Sequence, residues 1–371
     1  MSAPGIVEGD FAAFFAAPFA VYGPDARISS PLEPDLRAAL DPARNPLLQE
    51  GRARLTWFTA HRDGAVVGRV VASVHDASNR LHGWRRGSFG MLDCIDDVAV
   101  ARALLDACAG WVAARGCDEL MGSFNLTITQ MIGTLTEGHE HAPYTYQDWS
   151  PPYLPGLLAA CGFTPSYPMR TFEVDVAGVT EAALLGPRQQ ALLADPDWNF
   201  EPIRRWRLDD SLRAACAVLN DGFAENPMFV PLTEAEFLFA SKGMALVMDP
   251  RLGCLARHRG EPVGVLLCLP DLNPMMHAMG YRIGWRAPCH FLRHRRPDRA
   301  AIVFYSVRRS HHALGVNGVM LHRLFAGLRA GGYAKLGVSW VSDGNAASLR
   351  QLEKLGARPL HRLHLFGKSL P

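Results

Sequence analysis

The chain predicts an α/β fold built twice, and three observations carry that expectation. Its 371 residues, 49% apolar and 20% charged, are enough for two compact cores. Short β-rich apolar runs alternate with helical 3–4-residue periodicity. Two independent landmarks repeat at nearly one spacing: Gly68 and Gly264 in similar hairpins (264 − 68 = 196), and Gly162 and Gly356 after similar helix ends (356 − 162 = 194). Each unit is expected to be a mixed, mostly antiparallel twisted sheet flanked by helices. The units should occupy 1–180 and 202–371, with insertions near 126–150 and 271–299. A connection at 181–201 is marked by Gly178, Gly186, Pro187, Pro196 and the polar tract Asp195–Asn199.

In the first unit, the apolar run Phe11–Tyr22 follows Glu8 and Asp10 and contains Pro18, which is unlike a secretory leader. Residues 55–61 and 65–72 form a hairpin around Asp63-Gly64, a favoured two-residue turn. The strand 87–95 runs into Asp96-Asp97 and a helix carrying Val100, Leu104, Leu105, Cys108 and Trp111. Carboxylates suit a helix start and repel a diphosphate placed there, so this unit should be a scaffold and one wall of an acceptor site.

The second unit opens with a capping box, Thr233-x-x-Glu236, and a hairpin around Arg259-Gly260. A Met-rich insertion follows (Asn273–Met279, then Trp285, Pro288, Phe291 and Leu292), of a composition that can line an acyl tunnel. Arg293, His294, Arg295, Arg296 and Arg299 make a basic run suited to an acidic partner. The strand 300–307 leads through Arg308–Gly318 into a helix with Met320, Leu321, Leu324, Phe325 and Leu328. The first N–H groups of a helix have no internal partner, so a turn cleared by Gly315 and Gly318 beside Arg308, Arg309 and His311 can receive a phosphate. A strand at 335–342 and a helix opened by Asn345 and closed by Gly356 complete the unit.

The block 300–357 resembles the cofactor-binding half of the GCN5-related N-acetyltransferase superfamily. There a Gln/Arg-x-x-Gly-x-Gly/Ala turn precedes one helix, and an Asn-x-x-(Ala/Ser)…Glu-Lys-Leu-Gly helix follows the next strand. His312-x-x-Gly315-x-Asn317 stands for the first motif, with Gly318 one step late, and Asn345…Glu353-Lys354-Leu355-Gly356 for the second. Leu352 occupies the place where many members carry a tyrosine that protonates the leaving thiolate. Taken whole, with phrases such as Phe229–Phe237, Leu269–Asn273 and Ser339-Trp340…Asp343-Gly344-Asn345, the chain resembles bacterial tandem acetyltransferase-like proteins.

That resemblance implies transfer of an acyl group from acetyl-CoA or a longer acyl-CoA directly to an amine. The cofactor contacts it implies are Phe304, Ser306, Val307, Arg308, Arg309, His312, Gly315, Val316, Asn317, Gly318, Asn345 and Ser348. For proton transfer the residues to weigh are Tyr305, Asp343 and Glu236, with Ser306 and Ser339 beside them. Bland roles compete with each: Glu236 and Asn345 as helix caps, Asp343 as a turn residue, Tyr305 as core. Two other functions stay open. One is acylation of a peptide or specialised metabolite with a longer chain, delivered on an acyl carrier protein that docks on the basic run. The other is a non-catalytic sensor that binds CoA or acyl-CoA.

The net charge of +2 argues against bulk nucleic-acid binding. The eight cysteines form no Cys-x-x-Cys pair, and the histidines show no standard metal spacing, so no metal is expected. No apolar run reaches the ~18–20 residues of a membrane span, and a cytoplasmic location is the expectation.

Overall fold

The computed structural model describes residues 2–25, 27–125, 131–226, 228–294 and 297–371. The strands are β1 (Gly5–Glu8), β2 (Arg54–Arg62), β3 (Ala65–Val74), β4 (Arg86–Cys94), β5 (Glu119–Gly122), β6 (Thr134–Glu137), β7 (Thr164–Asp175), β8 (Trp198–Pro202), β9 (Gly253–His258), β10 (Glu261–Pro270), β11 (Arg299–Val307), β12 (Lys335–Ser342) and β13 (Arg358–Ser369). They form one continuous sheet in the order β1-β2-β3-β4-β5-β13-β7-β12-β11-β10-β9-β8, with β6 beside β13.

The repeat is visible in the registers. Hairpins β2–β3 and β9–β10 turn on Asp63-Gly64 and Arg259-Gly260, all four residues at positive φ, as a two-residue turn matched to strand twist requires. Gly68 faces Ala60 in one hairpin and Gly264 faces Ala256 in the other, each beside a one-residue register shift. Each copy then has one parallel pair, β4–β5 and β11–β12, connected by the helices Val98–Ala113 and Val316–Gly331. Separate apolar cores fill the two copies, one centred on Phe89, Leu104, Cys108 and Leu120 and one on Leu266, Met320, Phe325 and Leu336.

How the copies join is not encoded in any local pattern. Strand β7, at the end of the first copy, pairs with β12 of the second, while β13, at the end of the second, pairs with both β7 and β5. The terminal strands are thereby exchanged, and the sheet runs through both copies. The stretch 181–201, read as a connection, carries the helices Glu181–Leu184 and Pro187–Ala194 and most of edge strand β8. The Met-rich insertion does not line a tunnel: Met276 and Tyr281 pack with Phe14, Phe15 and Leu36 of the first copy. The 126–130 part of the first insertion and Arg295-Arg296 of the basic run lie outside the described residues. Among the described residues, no helix is long and apolar enough to cross a membrane.

Candidate functional site

Strands β11 and β12 pair in parallel from Arg299↔Lys335 to Ile302↔Val338 and then part. The fork is pinned at its crotch, where the Ser339 hydroxyl donates to the Ile302 carbonyl at 3.2 Å and the Gln147 amide donates to the Val338 carbonyl at 3.1 Å. Beyond it opens a cavity of about 820 Å³, within the ~300–1,000 Å³ usual for small-molecule sites. Its walls are mainly apolar, including Leu219, Phe223, Phe229, Phe237, Phe304 and Trp340. The first copy contributes Ala39, Leu47, Arg52, His75, Tyr146 and Tyr167.

Of the residues expected to move protons, Tyr305 and Glu236 line this cavity and Asp343 does not. Tyr305 reaches from β11 to the two helices of the motif, its hydroxyl 3.2 Å from the Asn317 carbonyl and 3.2 Å from Gln351 Oε1. Burial pushes this phenol well above its ordinary value, so it holds its proton and can act as a donor. Gln351 immediately precedes Leu352. A phenol therefore reaches the Ala346–Lys354 helix from the strand, at the turn where relatives of the motif carry a tyrosine on the helix itself.

Glu236 closes the capping box that its spacing with Thr233 predicts, accepting from the Thr233 amide at 2.9 Å. Its other oxygen accepts from Arg52 Nε of the first copy at 2.6 Å, so the carboxylate is committed to structure at the cavity wall. Asp343 is clamped by Arg170 at 2.8 Å and Arg362 at 3.0 Å, tying β7 and β13 to the end of β12. Ser306 is not among the cavity-lining residues; its hydroxyl sits against Gly222 of the cavity wall, where a Cβ would meet it at 2.1 Å.

The turn before the Val316–Gly331 helix has two sides. Ala313 and Gly315 stand at positive φ, and the amides of residues 313–317 donate to no acceptor among the described residues. The Arg308 Nε is buried without a partner among the same residues. Such a run of free amides is a ready anion cradle. The clearance at the glycines, however, is used by protein: a Cβ on Gly315 would meet Gln189 Nε2 at 2.9 Å, and one on Gly318 would meet the Leu184 carbonyl at 2.8 Å. Arg188 also donates to the Ala313 carbonyl at 2.6 Å. The small residues thus admit the 181–194 segment on one face while the turn's amides stay free.

The other residues named from the motifs fall into three groups. Phe304, His312, Asn345 and Ser348 line the cavity, with Asn345 capping its helix by accepting from the Ser348 amide at 3.1 Å. Val307 is buried against Gly264, with its carbonyl accepting from His312 Nε2 at 2.9 Å. Arg309 pairs with Asp221 and Glu225, while Val316 is buried and Asn317 exposed. Because a carbonyl only accepts, His312 Nε2 carries the proton, and in the neutral ring Nδ1 keeps its lone pair.

Arg52, His75, Tyr167, Asn226 and Gln351 escaped sequence reading. Gln351 could have been found, since Asn345, Ser348 and Leu352 share its helix face at i+3 and i+4 spacing. Arg52 and His75 could not, because they approach from the other copy. His75 accepts from the Ser78 amide at 3.2 Å, and burial together with the Arg52 cation lowers it to about 4.

No family model matches the chain. It is similar to a protein named bacterial ceramide synthase from Caulobacter vibrioides, 27% identical over 368 residues, covering 96% of this chain and 94% of that protein. It is also similar to protein YghO of Escherichia coli, 24% identical over 373 residues with 98% and 94% covered. Among solved structures, a tandem GNAT protein from the clavulanic acid biosynthesis pathway matches with a TM-score of 0.58 at 12% identity, covering 99% of this chain and 98% of that one. A GCN5-related N-acetyltransferase from Sphaerobacter thermophilus matches with a TM-score of 0.55 at 14% identity, covering 100% and 96%. With its repeated hairpins, its two parallel forks and these structural likenesses, the chain has the tandem fold of the GCN5-related N-acetyltransferases.

Proposed function

We propose that this protein is an N-acyltransferase that takes a long acyl chain from a pantetheine thioester and passes it directly to an amine on an amphiphilic acceptor. The observation that carries this reading is the cavity of about 820 Å³ in the β11–β12 fork. An acetyl group needs no such volume, whereas each methylene moved from water onto apolar walls gains roughly 0.8 kcal/mol. The similarity to a protein named ceramide synthase supports an amino alcohol with a long tail as the acceptor.

In this reading the free amides at 313–317 and Arg308 hold the diphosphate of a CoA donor, which brings the thioester to the fork. The amine nitrogen attacks the thioester carbonyl carbon, the C–S bond breaks, and Tyr305 gives its proton to the departing sulfur. His312, a cavity-lining residue whose Nε2 is bonded to the Val307 carbonyl, offers Nδ1 as the lone pair that takes the proton from the amine. Asp343 and Glu236 keep structural duties.

The test is direct. Purified protein incubated with palmitoyl-CoA and sphinganine should give the N-palmitoyl amide and free CoA by mass spectrometry. Absence of amide with any of acetyl-, octanoyl- or palmitoyl-CoA would leave only a binding protein.

A further inference from the structure

From Leu272 to Pro297 the sequence holds five arginines, three histidines and no acidic residue. Two of those arginines, 295 and 296, lie outside the described residues. In the described part the large apolar side chains face solvent: Trp285 is 83% exposed, Ile283 64%, Leu292 62% and Phe291 46%. Isolated exposed apolar residues are ordinary, but four within ten positions form a patch that a soluble surface rarely keeps without use.

The fold anchors this patch from beneath. Tyr281 is buried, with its hydroxyl bonded to the Ile28 carbonyl at 2.5 Å, and Arg282 pairs with Glu33 at 2.9 Å. Arg286 lies over the Trp285 ring at 4.7 Å. Neither Arg286 nor Arg293 enters an ion pair with the described residues. Aromatic and aliphatic groups interleaved with unpaired guanidinium groups suit an interface that is apolar below and phosphate-bearing above. An acidic protein would engage the arginines and leave Ile283, Phe291 and Leu292 without a matching environment. The Glu33–Leu40 helix links the patch to the cavity, holding Arg282 through Glu33 at one end and giving Ala39 to the cavity wall near the other.

We propose that residues 282–294 form a peripheral docking surface for an anionic lipid bilayer. Trp285, Phe291 and Leu292 enter the headgroup layer, and Arg286 and Arg293 meet lipid phosphates. Delivery of a membrane-dissolved amine to the cavity rests on the function proposed above; vesicle binding measured without substrate does not.

The experiment is co-sedimentation of the full chain with phosphatidylcholine vesicles, with and without about 30 mol% phosphatidylglycerol, at about 0.1 M salt. The wild-type chain should sediment with the anionic vesicles and far less with the neutral ones. Each basic residue near such a surface strengthens binding about fivefold, so R286E/R293E should weaken it at least about 25-fold. W285A/F291A/L292A should weaken it comparably while melting at the wild-type temperature. Both variants should keep amide formation on detergent-dispersed substrates, which separates loss of docking from loss of chemistry. A wild-type chain that stays in the supernatant overturns the proposal, as do variants that sediment like wild type. Capture of an acyl carrier protein that is lost in R286E/R293E, with no vesicle binding by the wild type, would assign the surface to a protein partner instead.

Discussion

The two copies meet the same topological problem, a parallel strand pair that splays, and solve it in opposite ways. In the first copy β4 and β5 part after Phe89↔Gly122, and the chain fills the gap at once. The Phe124 amide donates to the Phe89 carbonyl at 2.8 Å, and Asn125 accepts from the Met91 amide at 2.8 Å. Among the described residues a void of about 30 Å³ is found there, with Arg69, Asp93, Asn125 and Asp148 in its lining. In the second copy the fork stays open. Registers with Gly68↔Cys94 and Gly264↔Val307 place Leu92 where the second copy has Tyr305. Three residues link strand to helix in the first copy (95–97) and eight in the second (308–315), so only the second has room for a run of free amides. A duplicated fold can therefore keep one fork as structure and release the other for chemistry.

The change expected to have the largest effect is Tyr305→Phe, which removes from the open fork the hydroxyl proposed as proton donor, a group that Leu92 of the closed fork also lacks. It should lower kcat about 1,000-fold, within the range for general acids, with KM within about threefold. Steady-state kinetics with a long-chain donor checks it, and an unchanged kcat would free Tyr305 of that role.

Val341 lines the cavity from β12, and Val341→Trp closes the fork by volume alone. Turnover of palmitoyl-CoA should fall about 100-fold while acetyl-CoA stays within about threefold, because a short group needs only the fork's mouth. Equal losses for both donors would show that the cavity does not hold the chain.

The reciprocal change disturbs the closed fork. A Cβ on Gly90 would sit 1.9 Å from the carbonyl oxygen of Phe124, whose own amide is bonded to the Phe89 carbonyl, and this backbone atom moves only with the chain around it. Gly90→Ala should cost about 1–3 kcal/mol, read as a lower urea midpoint, and leave the chain-length preference unchanged. A shifted preference would mean the two forks are mechanically coupled.

Acidity separates the forks more gently. His75, lowered to about 4, stays neutral in the fold while the unfolded chain takes up a proton near 6.5. Its contribution is therefore lost as pH falls from about 6.5 to 4. Asp148 is raised to about 7 by burial and by Asp93, so the fold keeps its proton where the unfolded chain loses it near 4. Its contribution is lost as pH rises from about 4 to 7. His75→Asn should flatten the first slope and Asp148→Asn the second, each by about 1–3 kcal/mol in urea titrations across pH 4–7. Unaltered slopes would return both residues to an unremarkable setting.

Local chemistry made much of this legible beforehand. The paired turns Asp63-Gly64 and Arg259-Gly260, the glycines near 195-residue spacing, and the caps at Thr233 and Asn345 each encode their geometry within a few residues. What escaped was long-range. The exchange of β7 and β13 depends on pairings that no local pattern records, and the Arg52–Glu236 contact spans 184 residues. Gly315 and Gly318 show the limit most clearly. Small residues at a helix start mark a close approach, but they do not say whether the approaching group is a phosphate or the Gln189 side chain.

Whether the β11–β12 fork houses a long acyl chain is decided by the donor-length profile of the wild-type enzyme with one fixed long-chain amino alcohol. Here kcat/KM should rise with chain length and be at least tenfold higher for palmitoyl-CoA than for acetyl-CoA. A flat profile, or one that peaks at acetyl, would contradict it.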